Sequence, residues 1–145
     1  MGKRIAAYLQ TMYPPAVMVP VTTVSFLAVY FGTQALGEPS IVEQPMAVGW
    51  PAVAGVVTLF CVQLLMRLYD EIKDVEVDQR LGRAGDPKYV DRPIVTGAIT
   101  VEELHVMVQW TIGGMFVANI GLGFPVPGLA FLTVFLVVWL SYKWF

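Results

Sequence analysis

Asp70, Asp74 and Asp78 are spaced i, i+4, i+8 in the stretch from Arg67 to Asp78. On a helix, successive members lie about 6 Å apart along the axis and fall near one face. Glu71 sits one step round from Asp70. Like charges at i,i+4 repel even when exposed, and more strongly beside a low-dielectric medium, so the row calls for positive charge nearby. Lys73 and Arg67 are too few to supply it. A hard divalent cation fits better. Mg²⁺ takes oxygen ligands, keeps several waters, and binds through one or two carboxylates together with substrate phosphates. The spacing therefore predicts a Mg²⁺–phosphate site with Asp70, Asp74 and Asp78 as the metal side chains. Arg83, Lys88 and Arg92 follow in a basic stretch, suited to contact phosphate oxygens from the opposite side. The plain alternative is a solvated acidic helix end.

The elements that position this stretch are apolar. The chain of 145 residues is 57% hydrophobic and only 14% charged, with a mean hydropathy of +0.66. A soluble domain runs at roughly 45–50% apolar and about 25% charged, so lipid is the expected solvent. Residues 14–36, 48–68, 104–122 and 128–144 form four runs long enough to span a bilayer. Backbone groups in lipid must be satisfied internally, and these runs lack the alternation of a barrel, so they are expected to be helices. The expected fold class is all-α, a polytopic membrane helical bundle of about four transmembrane helices in a single domain over 1–145.

Basic residues set the expected orientation. Lys3 and Arg4 precede the first run, Arg67 to Arg92 lie between the second and third, and Lys143 closes the fourth. With four spans they all fall on one side, which the positive-inside rule makes cytoplasmic. Both termini and the segment 67–103 are therefore expected in the cytoplasm. The basic start could mimic a signal peptide, but the run after it is long, and an uncleaved first span is expected. A net charge of −2 recruits no nucleic acid. Cys61, the single cysteine, is expected to pack as a small hydrophobe.

The helix of the second run is expected to continue into the acidic stretch, since no Gly or Pro interrupts it. Thr100 and Glu103 form a capping box that starts the third helix, and Pro20 should loosen the first span. Gln63, Gln109 and Asn119 lie within spans and are expected to face other helices or a cavity. Gln63 lies two turns before Asp70 on a similar face, as a candidate substrate contact. His105 is expected to be a polar residue at a helix mouth.

The pattern Asp70-Glu71-x-x-Asp74-x-x-x-Asp78, followed by the stretch from Asp91-Arg92-Pro93 to Gly97, resembles the first aspartate-rich motif and following loop of the UbiA superfamily of intramembrane prenyltransferases. In that family the motif opens with Asn-Asp, where this chain has Asp70-Glu71. The resemblance implies half of a UbiA-like helical bundle. It implies a Mg²⁺-dependent transfer of an isoprenyl group from an isoprenyl diphosphate to an aromatic or lipid-like acceptor. Asp70, Asp74, Asp78 and Arg92 would be the catalytic set, with Lys88, Arg92, Glu71 and Gln63 contacting substrate. The family's second aspartate motif has no counterpart in these 145 residues, so further sequence, a second membrane chain or self-association is expected to complete the bundle. A catalytically incomplete half-protein, serving as a structural subunit of a membrane complex, is the alternative. A small cation transporter with an acidic vestibule is a third.

Overall fold

The structure is a computed structural model that describes residues 1–37 and 49–120 and, beyond them, the helical positions Thr133, Leu136, Val137 and Leu140. Among the described residues the fold is all-helical, with no strand. Its elements are α1 (Gly2–Met12), α2 (Pro15–Gly37), α3 (Trp50–Arg83) and α4 (Val101–Ile120). The runs expected at 14–36 and 48–68 correspond to α2 and the first part of α3. The run expected at 104–122 begins earlier, at Val101. The run 128–144 lies outside the described residues except for the four positions named. α2 and α3 are long and apolar enough to cross a bilayer.

The chain divides into two compact units. Residues 16–62 and 114–145 make up one. In it α2 runs on through Pro20, although a proline inside a helix removes one backbone hydrogen bond. Gly55 of α3 lies against the Phe26 ring of α2, where a Cβ would come within 2.0 Å of Cζ. Ala52, Ala54 and Ala118 are buried, the small side chains that let helices approach closely in lipid. Asn119 donates to Thr58 Oγ1 at 2.7 Å and to the Met115 carbonyl at 2.8 Å, so this intraspan amide is satisfied between helices, as its type demands. Val17, Val24 and Val29 of α2 are exposed, and only 6% of its apolar window is buried.

Residues 1–15 and 63–113 make up the other unit. α1 is a helix of its own that precedes the first expected run at 14–36 and that the sequence reading did not assign. Tyr13 ends it outside the helical region (φ −146°), and Pro14 and Pro15 follow. A proline at the first helical position leaves no orphan N–H, so Pro15 opens α2 instead. The core of this unit gathers Tyr8 and Tyr13 with Leu64, Leu65 and Leu68 of α3, Ile94 and Ile99 of the connecting loop, and Leu104, Met107 and Val108 of α4.

α3 extends 34 residues, so the helix does run from the apolar stretch into the acidic one. Gly85 ends it with φ +80°. Asp86 N donates to Leu81 O at 3.1 Å and Gly85 N to Gly82 O at 3.0 Å. This is a Schellman closure, and glycine adopts the positive φ that it requires. The chain then folds back on α3 at Gly82, where a Cβ would lie 2.5 Å from Val95 Cγ1. α4 starts as expected: Glu103 N donates to Thr100 Oγ1 at 3.3 Å, and Thr100 N donates to Glu103 Oε2 at 3.0 Å.

The close approach at Gly82 generates a paired prediction. Gly82→Ala should destabilise the protein by about 1 kcal/mol or more, because the stiff Val95 must move. Gly113→Ala meets nothing within 4 Å and should cost nothing, since alanine is the better helix former. Thermal unfolding of both variants in detergent checks the contrast; equal losses would contradict it.

Candidate functional site

The buried stripe of α3 runs Leu64, Leu68, Glu71, Asp78 and Gly82, with half-buried Val75 between the two acids. The steps alternate four and three residues, the spacing of one helix face. Glu71 and Asp78 therefore continue the apolar stripe as carboxylates, each about 2% exposed or less. Asp70 and Asp74 are exposed. The acids expected to act as one row are thus split between two environments.

A buried carboxylate is tolerable only when paired, and each has an arginine. Arg67 Nη2 meets Glu71 Oε1 at 2.5 Å, one turn along the same helix. Arg92 reaches Asp78 from the loop through Nη1 to Oδ2. The loop geometry makes that second pair possible. Gly82 admits Val95, while Ile94 and Ile99 anchor the loop in the core. Backbone bonds from Val95 N and Thr96 N to Arg92 O, at 2.9 and 3.0 Å, fix the turn that carries Arg92. Its guanidinium also lies 5.0 Å from the centroid of the Tyr89 ring.

Burial pushes the Glu71 carboxyl up from its ordinary range. Arg67 and Arg92 oppose this, while Asp78 and Asp74 add to it. The same causes tie Glu71, Asp74, Asp78, Arg67 and Arg92 into one electrostatic cluster. Tyr8 of α1 joins it: burial, and then Glu71, drive its phenol well above the usual range, while Arg67 works the other way. Nothing in the sequence argument singled out Tyr8. The signal available was its place in an amphipathic 11-residue segment ahead of two prolines.

The other expected residues are dispersed. Lys88 is exposed, with its ammonium 5.3 Å from the Tyr89 ring centroid. Gln63 accepts a hydrogen bond from the Tyr13 hydroxyl at 3.2 Å, joining α3 to the end of α1. His105 and Gln109 are exposed, and Cys61 is buried. Arg4, a topology marker in the sequence, donates to Gly97 O at 2.8 Å and Ala98 O at 3.0 Å and pairs with Glu103 at 3.2 Å.

Among the described residues no three His, Cys, Asp or Glu side chains are grouped to hold a metal ion. A Mg²⁺ shared with phosphates needs only one or two carboxylates. Asp70 and Asp74, exposed and one turn apart, have the right donor chemistry for that mode. Comparison with protein-family models, curated proteins and solved structures finds no match to this chain.

Two outcomes follow from the paired carboxylates. Arg92→Ala leaves Asp78 buried without a partner and should destabilise the protein by roughly 3–5 kcal/mol; Asp78→Asn in the same background should recover part of that, as read by denaturant unfolding. The raised Glu71 carboxyl means the folded state holds this proton more tightly than the unfolded state. Its contribution to stability is therefore present in acid and is lost as pH rises from the ordinary carboxylate range through the raised value. Glu71→Gln should flatten that part of the stability–pH curve, and an unchanged slope would contradict the assignment.

Proposed function

We propose that this chain is a multi-pass membrane protein whose cytoplasmic acidic helix end binds a Mg²⁺–isoprenyl diphosphate, as one half of a UbiA-type prenyltransferase. The observation that supports it best is the return of the loop onto α3. That fold brings Arg92 to the acid-rich helix end while Asp70 and Asp74 stay exposed. In this proposal Asp70 and Asp74 hold the metal. Asp78 holds Arg92 in place. Arg92 and Lys88 face the diphosphate, and Gln63 and Glu71 lie deeper along α3. A bound Mg²⁺ would neutralise charge on the departing diphosphate. The isoprenyl group would pass to an aromatic or lipid-like acceptor held among helices that this chain and a second membrane chain, or a second copy, supply together.

The topology belongs to the same proposal: four spans, with both termini and the segment 67–103 in the cytoplasm. The placement of all nine basic residues in the sequence supports it.

One specific observation favours the alternative of a structural subunit. Glu71 and Asp78 are each matched by an arginine of this chain, so the buried part of the cluster is balanced without a cation. Farnesyl diphosphate binding separates the two. The purified protein in detergent should bind farnesyl diphosphate only with Mg²⁺, and Asp74→Ala should weaken that binding roughly tenfold or more. If the protein binds no farnesyl diphosphate, or if Asp74→Ala and Asp70→Ala leave binding unchanged, the transferase proposal fails and the structural one stands.

A further inference from the structure

In the turn that follows α3, one aromatic ring holds two cations. The Lys88 ammonium is 5.3 Å from the Tyr89 ring centroid, and the Arg92 guanidinium carbon is 5.0 Å from it. Both are inside the roughly 6 Å over which a ring face attracts a cation. The two charges are therefore no further apart than those two distances together, and like charges brought close repel. Arg92 has a carboxylate to offset this, since its Nη1 meets Asp78. Lys88 pairs with no carboxylate among the described residues, and it is exposed.

The backbone fixes the ring beside both. Tyr89 N and Val90 N donate to Asp86 O at 2.9 and 3.0 Å, and Arg92 N donates to Tyr89 O at 3.1 Å. Asp86 Oδ1 accepts from Lys88 N at 2.9 Å. The Tyr89 carbonyl lies over Gly82 of α3, where a Cβ would come within 3.4 Å of it. These contacts wind residues 86–92 into one tight turn on α3, with Tyr89 half-buried in it.

We propose that Tyr89 is a positioning residue that holds Lys88 and Arg92 as a pair and so sets a preference for a diphosphate over a monophosphate. The inference rests on the Mg²⁺–isoprenyl diphosphate reading and deepens it. A diphosphate offers two phosphoryl groups, so two cations held together can each meet one, while a monophosphate needs only one of them. A ring suits this task better than an acid. A carboxylate at position 89 would also hold two cations, but it would occupy their N–H groups and cancel charge that the ligand needs. The ring attracts the charge and leaves the donors free. An ammonium has three N–H donors and a guanidinium five, so the bond to Asp78 leaves Arg92 most of its own.

The charge on the ring face can be varied at nearly constant shape. Tyr89→Phe keeps the ring, and fluorinated phenylalanines at the same position weaken its negative face. Binding of farnesyl diphosphate and of farnesyl monophosphate, each with Mg²⁺, is measured on the full chain in detergent. The wild type should prefer the diphosphate, and Tyr89→Phe should behave as the wild type does. With trifluorophenylalanine, and in Tyr89→Leu, diphosphate affinity should fall roughly fivefold or more. Monophosphate affinity should fall less, so the ratio of the two declines. A flat series overturns the inference, because the ring then does not act on the cations. Equal losses for both ligands overturn it too, because Tyr89 then only supports the loop. In either case a wild type that binds farnesyl diphosphate leaves the diphosphate reading standing. A wild type that binds neither ligand sinks that reading and this inference with it. The fluorinated variants keep the shape of Tyr89→Phe, so a Tyr89→Leu chain that fails to fold leaves the test intact.

Discussion

Two carboxylates on the buried stripe of one helix require two arginines, and much of the unit around residues 1–15 and 63–113 is arranged to supply them. Removing a carboxylate from water costs several kcal/mol unless a partner meets it with good geometry. Arg67 comes from the preceding turn of α3 and needs no fold to position it. Arg92 does need one. Its approach depends on the Schellman turn at Gly85, the missing side chain at Gly82, and the burial of Ile94 and Ile99. Interactions that look separate along the chain thus have one electrostatic purpose.

The same constraint explains what α1 is for in this unit. Arg4 ties it to the carbonyls at 97 and 98 and to Glu103. Glu103 is also half of the capping box that starts α4. Tyr8 is buried within electrostatic reach of Arg67 and Glu71, and the Tyr13 hydroxyl donates to Gln63. The short helix therefore touches the loop, the start of α4 and the polar side of α3. Around Glu71, whose side chain is 1% exposed, the local dielectric is low and an accurate match of polar groups matters more.

What could be read in the sequence follows from which forces are local. The unbroken continuation of α3 was legible because no Gly or Pro interrupts residues 56–81, and the capping box because Thr100 and Glu103 act within one turn. The split among the acids is hidden in their own spacing. The row Asp70, Asp74, Asp78 advances by four each time and drifts round the helix. Extending the apolar positions Leu64 and Leu68 by alternating steps of three and four gives Glu71, Val75 and Asp78 instead. Burial follows that apolar stripe. Composition also gave no reason to expect a helix before the first run at 14–36, because the role of that segment depends on contacts with residues about 50 to 100 positions away.

The division between buried and exposed acids bears on what the helix end can do. Glu71 and Asp78 are already committed to arginines, and displacing either arginine for a cation would reopen a buried charge. Asp70 and Asp74 carry no such commitment to the core, so they can change partners at little cost to the fold. A site that must bind and release a charged ligand needs groups of the second kind, held in register by groups of the first kind. On α3 the two kinds alternate along a single turn-by-turn sequence. The helix that is anchored by its buried carboxylates thereby presents the exposed ones at a fixed spacing. The paired acids are scaffold, and whatever recognition this helix end performs falls to Asp70 and Asp74.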